Sequence, residues 1–244
     1  MSIEVRELHQ EMGGLLIFER LSLTVRAGES VALLGPSGCG KSTLLNTIAG
    51  ILPPGRGEIW LGGEDWTGRS GRVSYMQQKD LLLPWRRILD NVCIPLELKG
   101  VSPSEARRLA RPRLAEFGLQ DFADYYPSQL SGGMRQRAAL LRTILFADDL
   151  LLLDEPFAAL DAITRRRMQL WLKELLHRHS QSLLLVTHDI DEALLMARRI
   201  YILSELPARV VAEISVAADS DPPMLWQQKQ EILNLLNPAD SAPI

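Results

Sequence analysis

Residues 35–42, Gly35-Pro36-Ser37-Gly38-Cys39-Gly40-Lys41-Ser42, form the stretch of sequence that decides the fold. The stretch follows the apolar run Val31–Leu34 and precedes a helical pattern, Ser42–Ala49, so a strand, a glycine-rich loop and a helix follow one another. Its positions match the pattern G-x-x-x-x-G-K-[ST]. The glycines let successive backbone N–H groups turn toward a phosphate, and the positive end of the following helix faces the same anion. The stretch therefore predicts a site for nucleotide phosphates.

Side chains at the end of this phosphate loop extend the prediction to a nucleoside triphosphate and its metal ion. Lys41 places a positive charge beside the β- and γ-phosphates, Ser42 supplies a hydroxyl ligand for Mg²⁺, and Thr43 can bond a phosphate oxygen. The pattern thus predicts ATP and Mg²⁺ as ligands. The expected ATP-binding residues of the loop are Gly35, Pro36, Ser37, Gly38, Cys39, Gly40, Lys41, Ser42 and Thr43.

Two later apolar runs, Leu150–Leu153 and Leu183–Val186, predict strands that are buried on both faces, with a helix over Ala162–His177 between them. The order strand, helix, strand indicates a parallel sheet, and such sheets bind ligands at the carboxyl ends of their strands. Asp154 and His188 follow the two runs. Both residues are therefore expected at the ligand-binding edge.

Asp154 and Glu155 form a carboxylate pair at the end of the first of these strands. The carboxylate at the strand tip is expected to hold Mg²⁺ beside the serine of the phosphate loop. Glu155 can point toward the γ-phosphate and polarise an attacking water, which makes it the candidate general base. Without the phosphate loop, the same pair would be interpreted as a solvated turn.

The segment Leu130-Ser131-Gly132-Gly133-Met134-Arg135-Gln136-Arg137 predicts a second anion site. Ser131 can cap a helix, and the two glycines leave the first N–H groups of that helix uncovered. One phosphate loop cannot use this second site on its own. A phosphate held by the loop of one copy can be completed by the helix tip of another, so a second copy of the chain is an expected partner.

The same segment resembles the LSGGQ signature of ABC ATPases, with Met134 in place of the usual glutamine. The resemblance extends over about residues 3–216, with Walker A, Q-loop, signature, Walker B, D-loop and switch histidine in the family order. It implies an α/β fold, that of a P-loop NTPase ABC nucleotide-binding domain with a RecA-like parallel-sheet core, an N-terminal antiparallel β subdomain and an inserted α-helical subdomain. The expected division is a single ABC ATPase domain at 1–216, with its core at 1–80 and 142–216 and its helical subdomain at about 81–141, and a C-terminal helical appendage at 217–244.

The resemblance also implies roles for individual residues. Gln78 matches the Q-loop glutamine that senses Mg²⁺ and the attacking water, with Gln77 as the neighbouring alternative. Asp161 matches the D-loop aspartate that crosses the dimer interface, and His188 matches the switch histidine that hydrogen-bonds the γ-phosphate. The expected catalytic residues are Glu155, His188, Gln78 and Lys41; the expected metal ligands are Ser42, Gln78 and Asp154; the expected nucleotide contacts outside the loop are Met12, Ser131, Gly132, Gly133 and Asp161.

Adenine is expected to meet an apolar side chain in this sequence. The position where the family often places an aromatic ring for stacking falls near Met12, and Phe18 lies further along the chain. Met12 is therefore the expected contact for the base.

Composition argues against several other classes of protein. A hydrophobic content of 46%, a charged content of 23% and a net charge of -3 give no general electrostatic affinity for nucleic acid or anionic lipid. The apolar runs are shorter than the roughly 20 residues that cross a bilayer. The first ten residues carry charges where a signal peptide would be apolar, which predicts that the chain stays in the cytosol.

Other elements are predicted from local patterns. Strands are expected at Leu21–Val25, Gly57–Leu61 and Val73–Met76, and helices are expected through most of residues 81–141. One of these helices begins with Ser102-Pro103-Ser104-Glu105, which supplies an N-cap, an early proline and an early acid, and its apolar residues are Leu109, Leu114 and Phe117. Another helix is expected to begin near Gly132, and an amphipathic one at Pro223–Leu236.

Shorter phrases resemble one group of ABC importers. Leu82–Arg86 and Thr187–Ala193 are similar to the ATPases of nitrate, sulfonate and taurine importers. Gln77–Asp80 followed by Leu-Leu-Pro-Trp, together with Met134–Arg137, is similar to the ATPases of importers of hydroxymethylpyrimidine-type thiamine precursors. The resemblance implies a transmembrane permease as a partner, an extracytoplasmic solute-binding protein as an indirect one, no nucleic acid, and a location at the cytoplasmic face of the membrane. An exporter ATPase is the nearest alternative, a non-transport ABC ATPase is a further one, and the signature segment disfavours a plain P-loop kinase.

Overall fold

The computed structural model describes residues 1–146, 149–216 and 222–236. Its strands are β1 (Ile3–Met12), β2 (Leu15–Val25), β3 (Ser30–Leu34), β4 (Arg56–Leu61), β5 (Glu64–Asp65), β6 (Ser74–Met76), β7 (Leu150–Asp154), β8 (Ser182–Val186), β9 (Arg199–Leu203) and β10 (Val210–Ser215). Its α-helices are α1 (Lys41–Ile48), α2 (Ile88–Leu98), α3 (Pro103–Glu116), α4 (Gly132–Phe146), α5 (Ala162–His179), α6 (Ile190–Met196) and α7 (Pro222–Leu236). Short 3₁₀ turns at Gln120–Phe122 and Pro127–Gln129 precede α4.

The strand that leads into the phosphate loop lies inside a six-stranded sheet of order β10-β9-β3-β8-β7-β6. Strands β9, β3, β8, β7 and β6 run parallel, and β10 pairs antiparallel with β9. Every residue of β7 and β8 is buried, as expected of a sheet that is covered on both faces. The parallel sheet predicted from the two leucine-rich runs is confirmed.

The topology brings three connections to one edge of this sheet. Asp154 at the end of β7 pairs in register with Val186 at the end of β8, and β3 lies on the other side of β8. The carboxyl ends of parallel strands share an edge. The phosphate loop after β3, the carboxylate pair at the end of β7 and the segment after β8 therefore lie side by side.

A second, antiparallel sheet has the order β2-β1-β4-β5. The runs Leu21–Val25 and Val31–Leu34 predict two strands before the phosphate loop, but the structure has a third, because Ile3–Met12 forms β1. The register of β1 against β2 shifts next to Glu7, whose backbone is left-handed with a φ of 45°. This irregularity interrupts the alternation of apolar and polar residues by which the strand would be recognised.

Helices α2, α3 and α4 contribute to one hydrophobic cluster beside the parallel sheet. Ser102 caps α3 as predicted, since its hydroxyl accepts from the backbone N–H of Glu105 at 3.4 Å. The predicted apolar face of α3 is partly wrong: Leu109 is 42% exposed, whereas Ala106, Ala110 and Leu114 are fully buried. The buried face of α3 is thus formed by two alanines and Leu114, and Leu109 lies outside it.

The loop of residues 81–87 is not helical, although helices predominate in the region that follows it. The buried side chain of Asn91 organises this loop. Its Oδ1 accepts from the N–H of Leu83 at 2.7 Å, and its Nδ2 donates to the carbonyls of Leu83, Arg86 and Arg87. One amide thus replaces the backbone bonds that a helix would have made.

The last described helix, α7, covers the predicted span Pro223–Leu236 and one residue before it. Ile232 is fully buried in a cluster that includes Ala193 and Leu194 of α6, and Lys229 pairs with Asp191 at 2.7 Å. Residues 217–221 and 237–244 of the predicted appendage lie outside the described residues. None of the described helices is both long enough and apolar enough to span a bilayer.

Candidate functional site: a phosphate loop beside a carboxylate

The phosphate loop presses closely against β2. Gly40, the residue before α1, has a φ of 100°, and a Cβ there would lie 2.7 Å from Cγ2 of Ile17 and 2.9 Å from Cε1 of Phe18. Glycine alone meets both requirements, since side chains are disfavoured in this backbone conformation and no space is left for one. Phe18 is fully buried under the loop and is therefore not available to stack on a base.

Lys41 is held inside the loop. Its side chain is 8% exposed, and its Nζ donates to the carbonyls of Gly35 at 2.8 Å and Pro36 at 2.7 Å. The Sγ of Cys39 lies 3.7 Å from the same Nζ. Cys39 is thus directed into the protein, and its contribution to the outer surface of the loop is its backbone.

Ser42 and Asp154 meet at the end of β7. Asp154 is 2% exposed, and its carboxylate lies beside the Ser42 hydroxyl. Burial raises the pKa of Asp154 above its ordinary value and the neighbouring Glu155 charge adds to this, while the nearby Ser42 hydroxyl and the Lys41 charge act in the opposite direction. Buried oxygen ligands that carry negative charge suit a hard divalent cation. The residues present therefore fit the predicted Mg²⁺.

The Glu155 side chain, just after β7, contacts residues that follow the two flanking strands. Its Oε2 accepts from Nε2 of Gln78, which follows β6, at 3.3 Å, and its Oε1 lies 3.3 Å from Nδ1 of His188, which follows β8. Of the two adjacent glutamines, Gln78 is the one whose amide reaches Glu155. Three residues predicted separately from sequence are thus brought together beside the phosphate loop.

The backbone of Glu155 is strained. Its φ of 48° lies in the left-handed region, which costs a residue with a side chain about 1–2 kcal/mol. Its N–H donates to the carbonyl of Val186 at 2.9 Å. Strain of this kind persists only where the surroundings impose it, and it is common at functional sites.

The predicted signature segment begins α4. The hydroxyl of Ser131 accepts from the N–H of Met134 at 3.3 Å and so caps the helix, while Ser131 and Gly132 are exposed to solvent. A Cβ on Gly133 would lie 3.0 Å from the carbonyl oxygen of Ala159, so the helix tip is packed tightly against the segment before α5. The hydrogen bond of the Ser131 hydroxyl is made within its own helix. The exposed side of Ser131 is open to another molecule.

Asp161 is exposed at the start of α5. Its Oδ1 accepts from the N–H of Thr164 at 3.0 Å, and this bond lowers the pKa of the Asp161 carboxyl below its ordinary value. Within the protomer Asp161 acts as a helix cap. Its predicted contact across a dimer interface stays a prediction.

Comparison with known proteins decides the family. A family model described as "ABC transporter" matches residues 18–158, which include the phosphate loop, the helix tip with Ser131 and the carboxylate pair. The chain belongs to the ABC transporter family.

Named relatives of this ABC transporter chain are similar to it over most of its length. The formylaminopyrimidine import ATP-binding protein ThiZ of Halalkalibacterium halodurans is 45% identical over 215 residues, covering 88% of the chain and 84% of the relative. The taurine import ATP-binding protein TauB of Pseudomonas aeruginosa is 44% identical, covering 82% and 76%. The aliphatic sulfonates import ATP-binding protein SsuB 2 of Burkholderia cenocepacia is 42% identical, covering 95% and 86%.

Solved structures of ABC cassettes share the fold. The dimeric post-hydrolysis state of the ATP-binding cassette MJ0796 bound to ADP and Pi superposes with a TM-score of 0.80 at 29% identity, covering 88% of this chain and 99% of that one. A second dimeric structure of MJ0796, described as a bacterial ABC transporter cassette, gives a TM-score of 0.81 at 30% identity. The ABC cassette fold predicted from the motifs is confirmed.

The predicted adenine contact lies at the tip of the β1–β2 hairpin of this ABC cassette. Met12 is 47% exposed and pairs in register with Leu15, which is 53% exposed. The two side chains offer apolar surface to solvent. Leu15 was not predicted from sequence, although its position after Gly13-Gly14 and opposite Met12 would have indicated the pair.

Gln136 is a further residue of the site that sequence reasoning missed. It lies on α4, is 6% exposed, and bonds to the backbone of both Glu155 and Ala159. A signal for it is present in the sequence, because Gln136 shares a helix face with Leu140 and Thr143, both of which are buried. A glutamine on a buried helix face requires partners for its amide.

Proposed function

We propose that this chain binds and hydrolyses ATP as the nucleotide-binding subunit of an ABC importer, and that it works as a pair on a separate membrane permease. The observation that carries the proposal is the position of the Glu155 carboxylate, which lies between Gln78 and His188 at the same sheet edge as the Asp154–Ser42 pair and the phosphate loop. This is the arrangement that polarising a water beside a γ-phosphate requires.

The phosphate loop would hold the triphosphate of ATP. Its backbone N–H groups, with those at the start of α1, would bond phosphate oxygens, and Lys41 would exchange its loop carbonyls for the β- and γ-phosphates. Ser42, Asp154 and Gln78 would hold Mg²⁺, which supplies positive charge to the phosphates when it is bound. Thr43 would bond a phosphate oxygen from the first turn of α1.

Glu155 would accept the proton of the attacking water. Its carboxylate needs a fixed direction for this step, and Gln78 and His188 provide it from the two flanking strand ends. The His188 ring is 65% exposed, so it can turn to hydrogen-bond the γ-phosphate. The left-handed backbone of Glu155 ends the extended conformation of β7, whose last residue is Asp154.

A second copy of the chain would complete each nucleotide site. The helix tip formed by Ser131, Gly132 and Gly133 would bond the phosphates held by the partner's loop, Asp161 would lie at the interface, and Met12 would contact adenine. ATP that touches both copies stabilises the dimer by mass action, and hydrolysis removes this stabilisation. The dimeric MJ0796 structures support a pair of cassettes. Closure and opening would then shift the permease between two access states.

The membrane partner would meet the loop that follows Gln78. Trp85 on this loop is 71% exposed, and Asn91 fixes the backbone around it. An exposed aromatic on a rigid loop suits a groove that receives a helix of another protein. We place the chain at the cytoplasmic face of the membrane, bound through the permease, with an extracytoplasmic solute-binding protein as an indirect partner.

The relatives support an importer over an exporter, since ThiZ, TauB and SsuB 2 are all named for import. We propose that the transported solute belongs to the same chemical classes as those of the relatives, namely a sulfonate such as taurine or a pyrimidine precursor of thiamine. Within the chain we propose one ATPase domain at 1–216, with its core at 1–80 and 142–216, its helical subdomain at about 81–141 and the appendage at 217–244.

Glu155→Gln tests the catalytic part of the proposal. The variant keeps the size of the side chain but removes its basicity and one of its two acceptor oxygens, so ATP binding should persist while hydrolysis falls by about 100-fold or more. Hydrolysis at the wild-type rate would refute Glu155 as the base.

The proposal that the chain serves an importer is tested with the purified complex. The chain, its permease and the solute-binding protein are reconstituted in vesicles with the binding protein outside, and ATPase activity is measured with taurine, an alkanesulfonate or formylaminopyrimidine. Stimulation by one solute together with its uptake supports an importer, whereas efflux of a solute from the side of the ATPase would favour the exporter.

A further inference from the structure

Gln136 contacts two points of the catalytic segment at once. Its Nε2 donates to the carbonyl of Glu155 at 2.9 Å, and its Oε1 accepts from the N–H of Ala159 at 2.7 Å. Gln136 itself is 6% exposed, so its amide is largely withdrawn from water. Removing either bond would leave a backbone group of the catalytic segment without this partner.

These bonds act on the strained residue. The N–H of Glu155 is fixed to Val186 on one side, and its carbonyl is fixed to Gln136 on the other. The two peptide groups around the left-handed Cα are thus both held, and this is what an unfavourable φ of 48° needs in order to persist. The Cα position and the backbone angles set the direction of the Cα–Cβ bond, so these two backbone bonds determine where the Glu155 side chain starts.

The same amide belongs to the helix of the proposed signature. Gly133 at the start of α4 packs against the carbonyl of Ala159, the residue whose N–H binds Gln136. Arg135, the neighbour of Gln136, bonds Asp80 in the loop after Gln78 at 3.1 Å. Helix α4 is therefore joined by side-chain bonds both to the catalytic segment and to the segment of Gln78.

We propose that Gln136 is a positioning residue that holds the Glu155 carboxylate in its working direction and connects it to the signature helix of the same protomer. The inference rests on the proposed function, in which Glu155 is the base. Gln136 would then connect two nucleotide sites. The tip of α4 would touch the nucleotide bound by the partner copy, and the same helix would hold the base that acts on the nucleotide bound by its own copy.

Gln136→Met tests this inference, because methionine has nearly the same shape and can form neither bond. We expect kcat for ATP to fall by about 10–100-fold, as for the loss of residues that orient a catalytic group, while KM changes by less than about threefold. Gln136→Glu is the second variant. It keeps an acceptor for Ala159 and sets a carboxylate against the carbonyl of Glu155, so kcat should fall similarly.

Gln10→Met is the matched control for lost stability. Gln10 is also 6% exposed and also joins two backbone segments, donating to the carbonyl of Glu11 at 3.3 Å and accepting from the N–H of Gly55 at 3.0 Å. It lies in the antiparallel sheet. The inference is overturned if Gln136→Met retains the wild-type kcat, or if Gln10→Met lowers kcat as much.

The double variant Glu155→Gln/Gln136→Met separates positioning from other roles. If Gln136 acts through Glu155, the double variant hydrolyses ATP in single-turnover assays as slowly as Glu155→Gln alone. A further loss of about tenfold would overturn the inference, because Gln136 would then act elsewhere. Failure of the proposed function is seen separately, since Glu155→Gln alone would then hydrolyse ATP at the wild-type rate.

Discussion

Glu192 makes the stability of this protein depend on pH in a direction opposite to that of most carboxylates. It lies on α6, four residues after His188, and is 4% exposed. Burial raises its pKa to about 7, and the charge of Asp189 adds to this, while the hydrogen bond with Gln169, the nearby Thr187 hydroxyl and the charge of Arg165 act against it. The Oε2 of Glu192 accepts from Nε2 of Gln169 at 3.1 Å.

The sign of the effect follows from comparing the folded and unfolded chains. Between the ordinary pKa of 4.5 and about 7, the folded protein keeps a proton on Glu192 that the unfolded chain has lost. The free energy of unfolding therefore decreases as the pH rises through this range and is constant, as far as Glu192 is concerned, on either side of it. The pKa difference multiplied by about 1.36 kcal/mol per pH unit gives about 3 kcal/mol.

Glu192→Gln removes this dependence, because glutamine resembles the protonated acid and cannot ionise. We expect the variant and the wild type to unfold at similar urea concentrations at pH 4.5, and the variant to be more stable by about 3 kcal/mol at pH 8. Urea unfolding followed by tryptophan fluorescence measures both. A variant that is less stable than the wild type at pH 8, or that differs equally at both pH values, would refute the reasoning.

Three further variants test other parts of the structure. Gly40→Ala forces a left-handed alanine against Ile17 and Phe18 and should lower the free energy of unfolding by about 2–5 kcal/mol; an unchanged urea midpoint would contradict the close packing of the loop. Lys41→Ala should weaken ATP binding in a nucleotide titration, and an unaltered Kd would count against its phosphate role. Trp85→Ala should reduce recovery of the permease in co-purification, and full recovery would exclude Trp85 from the proposed contact.

Local sequence patterns predict an element correctly where a single local property determines it. The leucine runs that became β7 and β8 are buried on both faces, so hydrophobicity alone identifies them. The phosphate loop is equally local, because its glycines and the strand and helix around it are contiguous in sequence. The order of these elements then placed Asp154 and His188 at one edge through the geometry of parallel strands.

Features that depend on distant contacts could not be read from local patterns. The alternation of β1 is interrupted next to Glu7, so a local pattern does not predict this strand, and the buried face of α3 is formed partly by alanines, which are less hydrophobic than the exposed Leu109. The bonds of Gln136 join residues 19 and 23 positions away, and no local pattern encodes such a pairing. The strain at Glu155 likewise depends on Val186 in another strand.

The most direct test of the account is whether the helix tip of one copy reaches the nucleotide of the other. In the Glu155→Gln background, ATP should convert the chain from monomer to dimer in size-exclusion chromatography with light scattering. Adding Ser131→Arg should prevent this dimer, whereas Ser128→Arg, on the exposed turn just before α4, should not. A Ser131→Arg protein that still dimerises with ATP as fully as the Ser128→Arg protein would contradict the shared nucleotide site.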